Sequence, residues 1–275
     1  MPFIAKYFIE DKTSYASLGI VAYEFDDSQR ANFISDCLVP FREAYINEEK
    51  LVQIVKDFGT KRRDEIDERL PKKPDVVAGD FGEILTYYFA KEVLRTDATF
   101  FPMKWRLKDK KDAASPYTDV IVFKLDPNGA SPQDAMYTYE VKLRAGAPYG
   151  SYSATKGYLA GKKQCVFIDA VVDAYKDHVS RAGESILYLR TRCKDLGLKD
   201  EYEKIKRFTK PFCTVKFVKE CSAVAIVDSS FKDKQIDKIP SDLLKTFKKI
   251  KNVFFVPIKD LQKLYQAVFA QLPNA

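Results

Sequence analysis

Histidine is almost missing from this chain. There is one, His178, in 275 residues. A Ser-His-Asp relay needs a histidine oriented by a carboxylate. His178 stands inside a helical stretch with no motif around it and reads as a surface or packing residue. Chemistry therefore falls to carboxylates, lysines, hydroxyls or a metal. Cysteine is sparse as well. Cys37, Cys165, Cys193, Cys213 and Cys221 are scattered, odd in number and form no CxxC pair. That argues against a zinc site and for reduced thiols in a cytoplasmic compartment. No apolar run reaches the ~20 residues that span a bilayer. The opening Met1-Pro2-Phe3-Ile4-Ala5-Lys6 lacks the basic, apolar and cleavage regions of a signal peptide. A cytoplasmic protein with no membrane attachment is expected. Low-complexity tracts and internal repeats are also absent.

What is present is core-forming residues and charge. The hydrophobic fraction is 46% and the charged fraction 31%, enough for one large domain or two small ones. The net charge of +7 is gathered in short runs: Lys61-Arg62-Arg63, Lys72-Lys73, Lys108-Asp109-Lys110-Lys111, Lys162-Lys163, and Lys248-Lys249 with Lys251. Each alone reads as a solvated face. Together they fit contact with a phosphate backbone.

Residues 1–78 read as an N-terminal α/β region, a candidate for partner binding. A strand is expected at Gly19–Phe25. Ser28 caps a helix to about residue 38, Asn47 caps a second, and a charged helix covers 60–70. Pro71-Lys72-Lys73-Pro74 reads as a linker. Residues 79–275 read as a second α/β domain. Its first helix, 79–94, carries Phe81, Ile84, Leu85, Tyr88 and Phe89 at helical spacing. Three strand-like runs follow: Thr99–Leu107, Asp119–Leu125 and Met136–Leu143. Then come a Gly/Ser/Tyr-rich loop over 145–161, a long helix over 163–192 and a charged helix near 200–208. Strands at 214–218, 223–227 and 252–257 and a closing helix at 258–271 complete the chain. The expected fold class is α/β, with helix, three-strand meander, helix and strand forming a mixed sheet flanked by helices.

One strand stands out. In Glu140-Val141-Lys142 the outer two residues share a face, while Tyr139, Val141 and Leu143 point the other way. A carboxylate binds a hard cation, and an adjacent ammonium positions water or steadies transition-state charge. Glu-X-Lys is also a common same-face surface ion pair. Asp119 opens the preceding strand against a strongly apolar run. It suits a site at the sheet end, or a turn residue satisfying local backbone donors. Glu83 lies in the helix before. Asp80-Phe81-Gly82-Glu83 fits a capping box, yet Tyr87, Ala90 and Leu94 share the side of Glu83, so it also suits an internal cleft. Both possibilities stand.

Of the other residues, Trp105 reads as core, and Lys104 and Arg106 as a strand face that contacts phosphate or solvent. Asp169, Asp173 and Asp177 read as a polar helix face. Tyr149–Ser153 reads as a solvated loop, with base stacking as the sharper option.

The order Glu83 on a helix, then Asp119, then Glu140-Val141-Lys142 resembles the PD-(D/E)XK nuclease superfamily over residues 79–192. That resemblance implies that Asp119, Glu140 and the Val141 carbonyl hold Mg²⁺, with Mn²⁺ as the substitute. It further implies that Glu83 assists through water or metal and that Lys142 activates the attacking water. Pro116 stands three residues before Asp119 rather than beside it, a departure from the family pattern. Gly79-Asp80-Phe81-Gly82-Glu83-Ile84-Leu85, the later Glu-Val-Lys strand and the ~80-residue leading region more narrowly resemble HamA, the nuclease subunit of Hachiman anti-phage defence. This implies a bacterial DNA nuclease acting with a helicase subunit, HamB. The competing expectation is a nucleic-acid-binding or sensor subunit on the same fold, without chemistry of its own.

Overall fold

The computed structural model describes residues 2–114, 116–147 and 165–275. Two short strands, β1 (Phe8–Asp11) and β2 (Ile20–Phe25), lead into α1 (Arg30–Tyr45), α2 (Glu48–Phe58), α3 (Arg62–Asp67) and α4 (Pro74–Phe89). The hairpin β3 (Val120–Lys124) and β4 (Ala135–Arg144) comes next, then α5 (Val166–Lys176), α6 (Ala182–Asp195) and α7 (Lys199–Lys206). Strands β5 (Val218–Asp228) and β6 (Ile250–Ile258) and helix α8 (Leu261–Gln271) close the chain.

All six strands form one sheet in the order β1-β2-β6-β5-β4-β3. The central four run parallel, and β1 and β3 pair antiparallel at the edges. Parallel strands covered on both faces need apolar residues on both. In β5, Val224 and Ile226 point into one core, and Ala223, Ala225 and Val227 into another. The first core holds Phe33 and Phe41 of α1, Phe81 and Ile84 of α4, and Leu264 and Val268 of α8. The second holds Phe167 and Val171 of α5 against Phe255 of β6. The result is an α/β fold with a mixed sheet flanked by helices. The first 78 residues supply β1 and β2 to that sheet, and position 78/79 lies within α4. No helix among the described residues is long and apolar enough to cross a membrane.

Four expectations change. Thr99–Leu107 is not a strand. Phe100 makes one isolated bridge to Phe123, Pro102 then offers no N–H to a ladder, and Lys104–Leu107 winds into a 3₁₀ turn. The meander is therefore a hairpin. The run 214–218 is not a separate strand, because β5 begins at Val218, opposite the first residue of β4. The helix expected from Ser28 begins at Arg30, behind a 3₁₀ turn capped by Asp26, and runs through Pro40 to Tyr45. The helix expected from residue 79 begins at Pro74, whose missing N–H is no loss in a first turn. Asp80 and Glu83 are consequently interior helix residues, and no capping box forms. Asn47 does cap α2, accepting the Lys50 N–H, and Trp105 is core. The loop Tyr149–Ser153 and Lys162-Lys163 fall outside the described residues.

Gly82 explains why α4 lies so close to β4. A methyl group placed there would meet Val141 Cγ1 and Leu143 Cβ at 3.4 Å. Gly82→Val should overpack this contact and lower stability by ~1–3 kcal/mol in denaturant unfolding. Gly82→Ala should change it by less than ~1 kcal/mol. Full stability in the valine variant would show that α4 has room to move.

Candidate active site

Strand alternation sorts β4 into two roles. Tyr139 and Val141 join the core beneath α4. Glu140 and Lys142 take the opposite face, toward α5. Their neighbours across β5 are Ala223 and Ala225, small enough to leave space for both side chains. Glu140 is only 3% exposed. Its Oε1 accepts from Lys142 Nζ at 2.7 Å, and its Oε2 lies 3.4 Å from Arg181 Nη2. Lys142 Nζ also reaches Asp173 at 2.8 Å. Burial pushes the Glu140 carboxyl well above the usual range, and Asp119 pushes it further, against Lys142. Burial alone would lower Lys142, but Glu140, Asp119 and Asp173 outweigh it and hold the ammonium more firmly protonated.

Asp119 reaches this strand through the backbone. The β3–β4 ladder ends at Val120 opposite Tyr139. Continued, it would place Thr118 opposite Val141. Instead Asp119 Oδ2 accepts the Val141 N–H at 2.8 Å. A strand residue's N–H and C=O point to the same edge, so the Val141 carbonyl faces this unladdered side too. The preceding turn is fixed. Tyr117 adopts the left-handed region at φ 68°, and the Thr118 N–H donates to Ser185 Oγ at 3.0 Å.

Glu83 approaches from α4. Its Oε2 accepts from Trp105 Nε1 at 3.2 Å and lies 3.0 Å from Lys104 Nζ. Burial raises it to about 7; Lys104 opposes the rise, while Asp119 and Asp80 add to it. Asp80, on the turn before, accepts from Tyr45 Oη at 2.7 Å and Lys108 Nζ at 2.6 Å. Lys104 and Lys108 thus face inward, not toward a phosphate backbone. Arg106 donates to the Glu43 carbonyl at 2.7 Å.

Three further charged residues complete the cluster. Asp173 and Asp177, expected on a solvated face, belong to it, and so does Arg181. Between α5 and α6 the helix widens into a π turn, Asp177–Arg181, a distortion found often at functional sites. Asp177 is wholly buried. Arg181 Nε lies 2.8 Å from its Oδ1, and Arg181 Nη2 donates to the Asp173 carbonyl at 2.7 Å. Burial raises Asp177, and Arg181 counters it. The four-residue spacing of Asp173, Asp177 and Arg181 was the available signal, since it places all three on one helix side facing the Glu-X-Lys strand. His178 stands apart, with Nδ1 3.9 Å from Cys221 Sγ.

The donors near Asp119, Glu140 and Val141 are all oxygens, the kind that suits Mg²⁺. Asp119, Glu140, Asp173 and Asp177 outnumber the cations among them, Lys142 and Arg181, with Lys176 added at the rim on Asp173. This gathering of carboxyl oxygens is of the kind that suits a divalent ion. Among the described residues, however, no three histidines, cysteines or carboxylates are already gathered as ligands. Lys142 and Arg181 stand among them instead.

A model of the HamA family matches residues 3–272. The chain belongs to the HamA family. The HamA match takes in α4, the 3₁₀ turn Lys104–Leu107, β3, β4, α5 and the π turn, the elements that contribute to the charged cluster. Membership suggests an anti-phage defence protein of the Hachiman type. No curated protein matches the chain.

The raised carboxyl of Glu83 has a measurable consequence. A folded-state pKa near 7 against an ordinary 4.5 means that the folded form holds the proton more tightly. Stability from this group is present below the unfolded value and is lost as pH rises through about 7. Glu83→Gln abolishes that slope. Between about pH 5 and pH 8 the variant should gain on the parent by up to ~3 kcal/mol in denaturant unfolding. A difference that stays flat with pH would show Glu83 ionised throughout.

Proposed function

We propose that this chain is a Mg²⁺-dependent DNA nuclease on a PD-(D/E)XK-type core, the effector subunit of an anti-phage complex with a HamB-like helicase. The observation that carries it is the bond from the Val141 N–H to Asp119 Oδ2 at 2.8 Å. It brings the second acid onto the Glu-X-Lys strand, where the chemistry needs it. Asp119, Glu140 and the Val141 carbonyl would hold Mg²⁺ or Mn²⁺. Such an ion supplies Lewis acidity and a more acidic bound water.

The chain's own residues do the rest. Lys142, held protonated by Glu140, Asp119 and Asp173, does not take a proton from water in this state. It donates, orienting the attacking water and offsetting charge on the phosphate oxygens in the transition state. Glu83, fixed by Trp105 and Lys104, keeps a titratable carboxyl beside Asp119 at neutral pH. The basic runs that stay outward, such as Lys248-Lys249, suit phosphate contacts along DNA. Residues 1–78 are the proposed seat of partner contacts, and the cytoplasm is the proposed compartment.

One observation favours the competing assignment, a nucleic-acid-binding or sensor subunit without chemistry. Glu140 already has Lys142 and Arg181 as partners. Cleavage assays on the purified protein, alone and with its helicase, decide between the two. DNA cutting with Mg²⁺ that stops in EDTA is expected. Glu140→Ala and Lys142→Ala should each slow it by ~100-fold or more. Undiminished cutting by both variants would sink the nuclease proposal. Salt-dependent DNA affinity that survives Glu140→Ala, with no cutting under any partner condition, would establish the binding subunit.

A further inference from the structure

The π turn places a guanidinium beside two buried carboxyls. Arg181 Nη2 lies 3.4 Å from Glu140 Oε2, and Nε lies 2.8 Å from Asp177 Oδ1. The first is a long hydrogen bond and the second a contact of charge without hydrogen-bond alignment. Arg181 Nε and both oxygens of Asp177 make no hydrogen bond of good geometry among the described residues, although Thr118 and Glu140 lie beside the Asp177 carboxyl and lower it. The shorter hydrogen bond of Arg181 runs to the Asp173 carbonyl, at 2.7 Å, which ties its head to the last turn of α5. Lys142 is held differently. It grips Glu140 Oε1 at 2.7 Å and Asp173 at 2.8 Å from a strand inside the sheet.

Glu140 is therefore divided: one oxygen is firmly held by Lys142, the other loosely by Arg181. Asp177 has no solvent exposure; Arg181 is the cation paired with it, and Thr118 and Glu140 are its other polar neighbours. A guanidinium does not lose its proton in a protein, so this compensation persists at any ordinary pH. The side chain is 29% exposed, which leaves it a path outward to solvent or to a phosphate.

We infer that Arg181 is the resident counter-ion of Glu140 and Asp177: it holds the ion-free site together and competes with a divalent cation for Glu140. The inference rests on the proposal that Glu140 is an ion ligand. Two consequences follow from charge alone. Without Arg181, Asp177 loses its cation and Glu140 keeps only Lys142, so the ion-free protein weakens. With Arg181 gone, a divalent ion meets less competition and binds more tightly.

The test uses the full chain, with Mn²⁺ as the probe, and needs no cleavage. Mn²⁺ binding is followed by electron paramagnetic resonance, and unfolding by thermal melts in EDTA and in excess Mn²⁺. Arg181→Met should bind Mn²⁺ about tenfold more tightly or better. It should melt roughly 5 °C lower in EDTA, and excess Mn²⁺ should narrow that gap. The double variant Asp177→Asn/Arg181→Met, which removes the acid left without its cation, should recover most of the lost melting temperature and remains measurable if the single variant does not fold. An Arg181→Met protein with parental Mn²⁺ affinity or weaker, or with an unchanged melt in EDTA, overturns the inference. Glu140→Gln separates the two levels. Parental Mn²⁺ binding in that variant removes Glu140 as a ligand and the inference with it. Binding lost in Glu140→Gln but unaltered in Arg181→Met removes the inference alone.

Discussion

Buried negative charge at one end of β4 is the constraint to which the rest of this structure answers. A carboxylate taken out of water is tolerated only with a partner. Each acid here has its own. Asp80 has Lys108, Glu83 has Lys104, Glu140 has Lys142, and Asp177 has Arg181. These cations come from several elements, and regular geometry does not aim them all. The irregular pieces of backbone gather at this place for that reason. The 3₁₀ turn Lys104–Leu107 delivers Lys104 and Trp105, the π turn delivers Arg181, and the left-handed Tyr117 swings Asp119 onto Val141. Strained or widened backbone persists where the surroundings over-determine it, and here the acids supply that pressure.

The same strand serves core and site, so neither can be altered alone. Val141 packs under Gly82 on one face while its neighbours carry charge on the other. Its backbone N–H meets Asp119 at the edge. Packing on the α4 side therefore sets the position of Glu140 and Lys142 to within the tolerance of one helix-to-strand contact. The two alanines opposite in β5 complete the arrangement, since larger side chains there would fill the space that Glu140 and Lys142 use.

Much of this was legible in residue order, and the misses have a common cause. The alternation of β4 is local, and it showed. The apolar runs of β5 and β6 showed for the same reason. The aromatic and branched run 99–107 suggested a strand because its tertiary fate was invisible: Lys104 turns inward to an acid 21 positions earlier. Asp80 and Glu83 resembled a helix cap because Pro74, read as a linker, was the true first turn. Asp177 looked solvated because its neighbours Thr118 and Glu140, and the strand β5 that its turn packs on, are far from it in sequence. Pairings across tens of residues leave only spacing as a trace, and spacing does not say which face is inward.

The position of β6 in the sheet has a temporal consequence. Although late in the chain, it lies between β2 and β5 and is the piece that joins the leading strands to the charge-bearing half. Contacts this distant in sequence form slowly, because a long loop must close before they reward it. On a ribosome, the continuous sheet waits until residue 258 has emerged. A nascent chain can hold Glu140, Lys142 and Asp119 for some time before it holds the scaffold that sets them in register.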